Sequence, residues 1–553
     1  MKRFLSLLLV CCFIILALAA CGKEDPEATE SSTESGSAAA SNKPTEKPRG
    51  TTTETDTYGQ NKLISAVPVD DLDYTGQELV IAIRDGSDIY REFGRKEGEA
   101  YDQEDATLDE AIATRNDIVQ SGLGLTITME YIKHDGYDDG VTKFDTLIRS
   151  EIMNEQHLYD IAVNAAYPAV NPNIRGFLAN LADTDKFPYF DFELPCWNQA
   201  IYKNTYINNK IYAVAGDLTL TLFDYATVMW CNYDLYKANK TEEDPEDLQQ
   251  YAIDGDWIYD DLYRWSQVNE NSDASTDCGD LHGFAVTFNF FDSLLLAWDI
   301  DLVDTDKQTG RHSFNVKENE KAQGALDIVN IIKEQVGVAD YYSQGTTPQI
   351  CTCNKGGVGH FTEGDYVFKS DKIYWGATAN LKLREMDDSY ILLPIPKWDG
   401  DQPEYGTTSA DTYNLITVID HSANIDEPLL GEQISAYLQY ATEQSYTDVR
   451  KYYFERIIKA KTLSPNEETA EKSKIIFDRI VDNLEFNTET IYSTNLLDIC
   501  WLWRDIILRG DGLTLANAFM SNDFSGGGAR NEQGYMDAIA NFDKWLYDEL
   551  EEE

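Results

Sequence analysis

The sequence predicts an α/β protein of two lobes with a helical C-terminal part, carried behind an export signal and a tether. Three observations predict it. Strand-like and helix-like patterns alternate from residue 79 onward. The body after residue 62 is too long for one ordinary core. Everything before Leu63 reads as targeting and linker sequence.

Lys2 and Arg3 precede an apolar run from Leu5 to Ala20, broken only by Ser6. The run is too short and wrongly flanked to span a membrane, so it reads as an export signal over 1–20. Its end, Leu18-Ala19-Ala20-Cys21, resembles the lipobox of bacterial lipoproteins. That resemblance implies a diacylglyceryl group on the Cys21 sulfur, and two acyl chains suffice for stable anchoring. Residues 21–62 are rich in Ser, Thr, Glu, Pro and Ala and hold no aliphatic residue larger than Ala. Such a stretch cannot bury enough apolar surface to order itself. It is expected to be a disordered tether with a reach of roughly 35 Å, holding the body off the outer face of the cell membrane.

The chain carries 97 acidic against 45 basic residues, a formal net charge of −52. This field repels nucleic acid and anionic lipid headgroups, which argues against both as partners of the body. With the signal and Cys21 set aside, Cys196, Cys231, Cys278, Cys351, Cys353 and Cys500 remain. They are too sparse for a disulfide scaffold. Cys351 and Cys353 have no second Cys or His cluster at ligand spacing and read as incidental thiols.

Leu79–Ile83 is a continuous apolar run, as expected of a strand buried on both faces. Thr107-Leu-Asp-Glu110 has the form of a capping box. A helical spacing then runs through Leu108, Ile112 and Val119 toward Gly122 as a stop. Leu125–Tyr131 alternates like a strand, Phe144 to Ile152 follows helical spacing, and Tyr159–Val163 reads as a third strand. The second half repeats the theme. A helix is expected over 325–336, strands over 373–379, 390–395 and 413–419, and an amphipathic helix over 430–441. Beyond residue 447 the reading is mainly helical, with Trp503, Ile506 and Ile507 on one face. Between the halves, NKIYAVAGDLTLTLFDYATVMWCNY (209–233) holds two strand-like runs separated by Gly216 and Asp217.

Catalytic signatures are missing: there is no H-E-x-x-H, no G-x-S-x-G and no phosphate loop. Asp304 to Gly310 falls short of a calcium loop, because its glycine is one place late and no closing Glu follows. It reads as a polar turn. No metal and no cofactor is expected. Two carboxylates brought together by the fold could still hydrolyse glycosides, which no motif excludes.

The stretch NNKIYAVAGDLTLTLFDYATVMWCNYDLYKAN resembles the "G-K-x-Y-x-x-P … Y-N-K-D-L-F-K-K" region of bacterial extracellular solute-binding proteins. These are the capture subunits of ABC importers, of the large type that includes maltose binders. Asn209-Lys210-Ile211-Tyr212 and Asn232-Tyr233-Asp234-Leu235-Tyr236-Lys237 carry the likeness, with Tyr233 where Lys is common and Ala215 where Pro is common. Asp260–Trp265, Gly357–Gly364 and Leu392–Lys397 resemble later motifs of that family in the same order.

The resemblance implies a two-lobed, periplasmic-binding-protein-like type II fold whose lobes close over a solute in the cleft. It implies one lobe from 63–215 with 395–447 and another from 216–394 with 448–553. The first crossing then lies around Gly216, a hinge glycine, and the return over 394–417. The partners implied are a small solute and the transmembrane subunits of a permease, with membrane contact through the lipid anchor and a monomeric body.

Ligands of open α/β sheets sit beyond the carboxyl ends of the strands. Those ends offer Arg84 and Asp85 after the first strand, and Asn164 with Tyr167 after the third. The crossing offers Asp217 and Thr219, and the return offers Asp411. The second lobe adds Trp298, Glu363, Asp365 and Tyr366, the last two at the resembling family's ligand-facing turn. Carboxylates, amides and flat aromatic rings are what a neutral carbohydrate, such as an oligosaccharide, requires. A peptide or polyamine suits the acidic surface as the alternative solute. A surface-anchored polysaccharide-degrading enzyme and an adhesion lipoprotein are readings from other classes.

Overall fold

The computed structural model describes residues 51–55, 61–85, 92–95, 106–133, 137–266, 281–285, 288–306, 308–314, 321–322, 361–373, 383, 386–421, 429–458, 467–501 and 532–547. Cys21, Cys351, Cys353, the helix expected over 325–336 and the face of Trp503, Ile506 and Ile507 lie outside the described residues.

Strands β1 (Thr51–Thr55) and β2 (Asn61–Leu63) pair antiparallel. These strands overlap the end of the stretch expected as a tether over 21–62. β-branched threonines suit a strand even where no aliphatic residue is present.

The apolar run at 79–83 becomes β3 (Gln77–Asp85), which lies inside a four-stranded sheet in the order β12-β5-β3-β4. β4 (Leu125–Lys133) and β5 (Ile161–Ala165) run parallel to β3, while β12 (Asn414–Val418) is antiparallel to β5. Side chains alternate across this sheet. Ile81 and Ile83 join one apolar cluster with Val119 and Ile434, whereas Ala82 joins another with Leu108 and Ile112. The helices Ala106–Leu123 and Tyr137–Met153 make the parallel connections. The first does not stop at Gly122, which stays within it and lets Val69 and Tyr440 approach closely. It stops before Gly124, whose φ of +67° only glycine adopts freely.

A second four-stranded sheet has the order β11-β6-β10-β7. It contains β6 (Thr227–Asn232), β7 (His282–Ala285), β10 (Tyr366–Lys372) and β11 (Tyr390–Leu393). β8 (Val303–Thr305) and β9 (His312–Phe314) form a separate hairpin. Its turn is held by Asp306, which accepts the backbone N–H of Gln308 and Thr309, so the calcium-like stretch is a polar turn. Of the strand expected over 373–379 only Ile373 is among the described residues, and the sequence does not announce β10, which precedes it. Two charges disguise it in the sequence: Lys369 and Asp371 are both buried and pair at 3.3 Å.

The sheets meet where extended segments cross. Ala226 and Ser409 form an antiparallel bridge, with Thr227 N–H on Thr408 O (3.0 Å) and Ala410 N–H on Tyr225 O (2.9 Å). A third pass runs alongside, where Thr407 bridges Leu484 and Glu485 N–H reaches Thr407 O at 2.8 Å. The larger apolar cluster continues from the first sheet through this junction into the second. Cys196, Cys231 and Cys500 are buried free thiols, and burial raises each well above the ordinary thiol range.

Candidate functional site at the lobe junction

The run 209–215 does not make a full strand. Val214 bridges Ile416 and Gly216 bridges Trp197, which keeps this segment on the first lobe. Gly216 is required there by close approach, since a Cβ would stand 2.4 Å from Cys196 O. A short helical turn, Thr221–Asp224, follows, and the chain passes to the second sheet at Tyr225–Thr227.

On the first lobe, β3, β5 and β12 bring a polar constellation to one edge. Asn414 opens β12 opposite Ala165, the last residue of β5, so residues 411–413 lie beside the turn that follows β5. Tyr167 N–H donates to Asp411 O (3.2 Å), and Arg84 Nη2 donates to Thr412 O (2.8 Å). Trp501 completes the group. Its Nε1–H donates to Asp411 Oδ2 (2.7 Å), and its ring lies 5.8 Å from that of Tyr167. Arg84, Asp411 and Trp501 are half-buried, which leaves part of each open to a solute. Arg84 Nε is buried without a hydrogen-bond partner.

Below this edge, Glu92 ties the layers together. Its carboxylate accepts Asn414 Nδ2–H (2.6 Å) and Thr221 N–H (2.9 Å), and its carbonyl accepts Arg115 Nη2–H (2.9 Å). Burial pushes the Glu92 carboxyl up to about 7, outweighing the lowering pull of Asn414, Thr221 and Arg115. On the second lobe's side, Lys372 at the end of β10 places its Nζ 4.1 Å from the Tyr225 ring centre.

A cavity of about 540 Å³ opens on the flank of the crossing, lined by Trp197, Asn198, Lys203, Asp217, Arg450 and the 481–486 segment among others. Asp217 Oδ1 meets Arg450 Nε at 3.1 Å, and the guanidinium lies over Phe223 (4.9 Å) and Phe454 (5.0 Å). Burial raises Asp217 to about 7 despite Arg450, so desolvation exceeds the gain from the pair. Arg450 stands in a wide π-type turn, Ser445–Arg450, that prolongs the helix Leu430–Gln444.

The structure therefore brings Arg84, Tyr167 and Asp411 together, and places Asp217 at the cavity. Asn164 is buried, and its side chain is turned back onto the Ala165 N–H (2.9 Å). Asp85 is half-buried at the end of β3. Thr219 is fully buried and donates to Gly216 O at 2.8 Å. Trp298 is a core residue. It is fully buried, gives its N–H to Pro396 O (2.9 Å) and packs on Trp398 and Tyr259. Tyr366 is likewise buried at the start of β10. Before it, Glu363 is exposed and Asp365 half-buried around Gly364, which has φ +87°. Sequence reasoning missed Glu92, Asn414, Arg450 and Trp501. Asn414 lies close to Asp411 in the chain and Glu92 close to Arg84; Arg450 and Trp501 arrive from later elements.

No family model matches the chain, and no curated protein sequence matches it. Solved structures do. The sugar-binding protein MalE from the phytopathogen Xanthomonas citri aligns over 86% of this chain and all of its own, at 10% identity and a TM-score of 0.51. An ABC substrate-binding protein from Listeria monocytogenes in complex with cycloalternan aligns over 86% of this chain and 99% of its own, at 12% identity and a TM-score of 0.46. Maltose-bound MalE3 of T. maritima aligns over 85% of this chain and 100% of its own, at 13% identity and a TM-score of 0.45. The likeness to the Xanthomonas protein is one of fold: this chain has a two-lobed α/β architecture of the MalE type.

Proposed function

We propose that this protein is the solute-capturing subunit of an ABC importer and takes a neutral carbohydrate, such as an oligosaccharide, between its lobes. The observation that carries this reading is the half-open edge of Arg84, Asp411 and Trp501, backed by the buried Tyr167, beside the crossing segments of a solute-binding fold. A guanidinium and a carboxylate give paired hydrogen bonds to hydroxyls, and the half-buried Trp501 ring, packed from behind by Tyr167, supplies an apolar surface for a sugar face. Lobes assigned as 63–215 with 395–447 and 216–394 with 448–553 close because the closed state binds the solute better. The body is a non-catalytic monomer held at the outer face of the membrane by a lipid on Cys21, and it delivers its solute to the permease.

The charge of −52 favours a second reading of the same role, with a cationic solute such as a polyamine or a basic peptide. A thermal-shift screen of neutral sugars, polyamines and peptides separates the two. A ligand at about a hundred times its Kd adds about 2.7 kcal/mol. That raises Tm by roughly 2–3 °C in a body of this length. A shift confined to polyamines or peptides removes the carbohydrate, and release of a chemically altered sugar removes the binding role itself.

A further inference from the structure

A second cluster lies at the other end of the first sheet. β5 begins at Ile161, and its antiparallel partner β12 ends at Val418, so the segments before 161 and after 418 meet far from the Ala165–Asn414 edge. There His157, Asp160 and His421 each place one ligand-type atom within 4.8 Å of the others. His157 Nε2 is 2.6 Å from Asp160 Oδ1, and the two imidazole rings are 4.6 Å apart. Asp160 is buried, and its other oxygen accepts Val80 N–H at 2.8 Å.

His421 makes the cluster more than an ion pair. It is only 2% exposed, and its Nε2 lies 2.8 Å from Tyr159 O. A carbonyl only accepts, so Nε2 carries the proton. Nδ1 is buried with no hydrogen-bond partner. In that tautomer Nδ1 is the acceptor nitrogen, and no donor among the described residues uses it. Ligand-type imidazoles are commonly held this way, with one nitrogen fixed on a backbone carbonyl and the other free for a metal.

We propose that His157, Asp160 and His421 form a binding site for a divalent transition-metal ion, with Zn²⁺ the best match. Two imidazoles and one carboxylate are the donors Zn²⁺ prefers, whereas Ca²⁺ and Mg²⁺ need more oxygens than this cluster supplies. Ligands around tetrahedral Zn²⁺ stand about 3.4 Å apart, so a small opening of the His157–Asp160 contact admits the ion and leaves a fourth position for water. The bound ion clamps the segment before β5 to the segment after β12.

The test uses the untagged full chain, stripped with a chelator and titrated with Zn²⁺ by calorimetry in excess Mg²⁺, which occupies the acidic surface. One equivalent is expected, and His157→Gln is expected to weaken it by more than about tenfold. His157 is exposed, so this variant tests the site without disturbing the core. Cu²⁺-loaded protein should show two nitrogen ligands by electron paramagnetic resonance, and one fewer in His421→Gln. Sugar binding, at the opposite end of the sheet, should be unchanged in His157→Gln. Absence of a saturable Zn²⁺ site, or binding that His157→Gln leaves intact, overturns the proposal and leaves a plain His–Asp pair.

Discussion

Trp298 and Trp501 are both aromatic residues that a sugar could stack on, and the fold treats them in opposite ways. Trp298 is packed on every side by Trp398, Tyr259 and the Pro396 carbonyl. Trp501 spends its N–H on Asp411, meets Tyr167 on one side and remains half-buried. The lesson is that a ring needs an unpacked face to serve a ligand, and sequence does not show which faces are packed. The carboxylates repeat the contrast. Glu92 and Asp217 are buried and held by donors from other segments, while Asp411 is half open.

The largest effect that can break this contrast is at Trp298. Trp298→Ala should cost about 3–5 kcal/mol of stability, read as a lower urea midpoint, with unchanged ligand affinity for the folded fraction. A stable variant with lost affinity would move Trp298 into the site. Next comes Arg450→Met, which strands the Asp217 carboxylate and should cost ~3 kcal/mol. Adding Asp217→Asn should restore most of that loss in the same denaturation assay. Trp501→Ala should lower affinity for the ligand found in the screen by about tenfold, or ~1.4 kcal/mol. Its urea midpoint should fall far less than that of Trp298→Ala.

A further effect is a pH dependence. Glu92, Asp217 and Glu489 are each raised by burial to about 7. The folded state therefore holds protons that the unfolded chain releases near pH 4, and stability falls as pH rises from about 4 to about 7. Repulsion among surface carboxylates has the same sign, so the informative quantity is the difference from Glu92→Gln. That variant should show a shallower fall in Tm across the same window.

Much of the fold was legible because the first lobe is built from local patterns. Leu79–Ile83, the 107–123 helix and the run 413–419 announce themselves through apolar periodicity, which short segments carry by themselves. β10 is not announced by the sequence, because Lys369 and Asp371 look like surface residues until their pairing inside the sheet is seen. Gly216 suggested a hinge, since a glycine in a sequence does not say whether it is needed for freedom or for close approach. In the structure its close approach to Cys196 requires the glycine. At the site, Arg84, Tyr167 and Asp411 could be named from strand ends. Trp501 and Arg450 could not, because they reach the junction from helical turns beyond β12 and not from strand ends.

By itself, then, the sequence determined the α/β class, the acidic surface, the strands of the first sheet and the absence of the common catalytic motifs. These depend on composition and on spacings of a few residues. The tertiary structure alone decided which rings are core and which stay open, where the chain crosses between the sheets, and which buried carboxylates find partners. Those outcomes depend on contacts between residues far apart in the chain, and on how much water each group loses when they form.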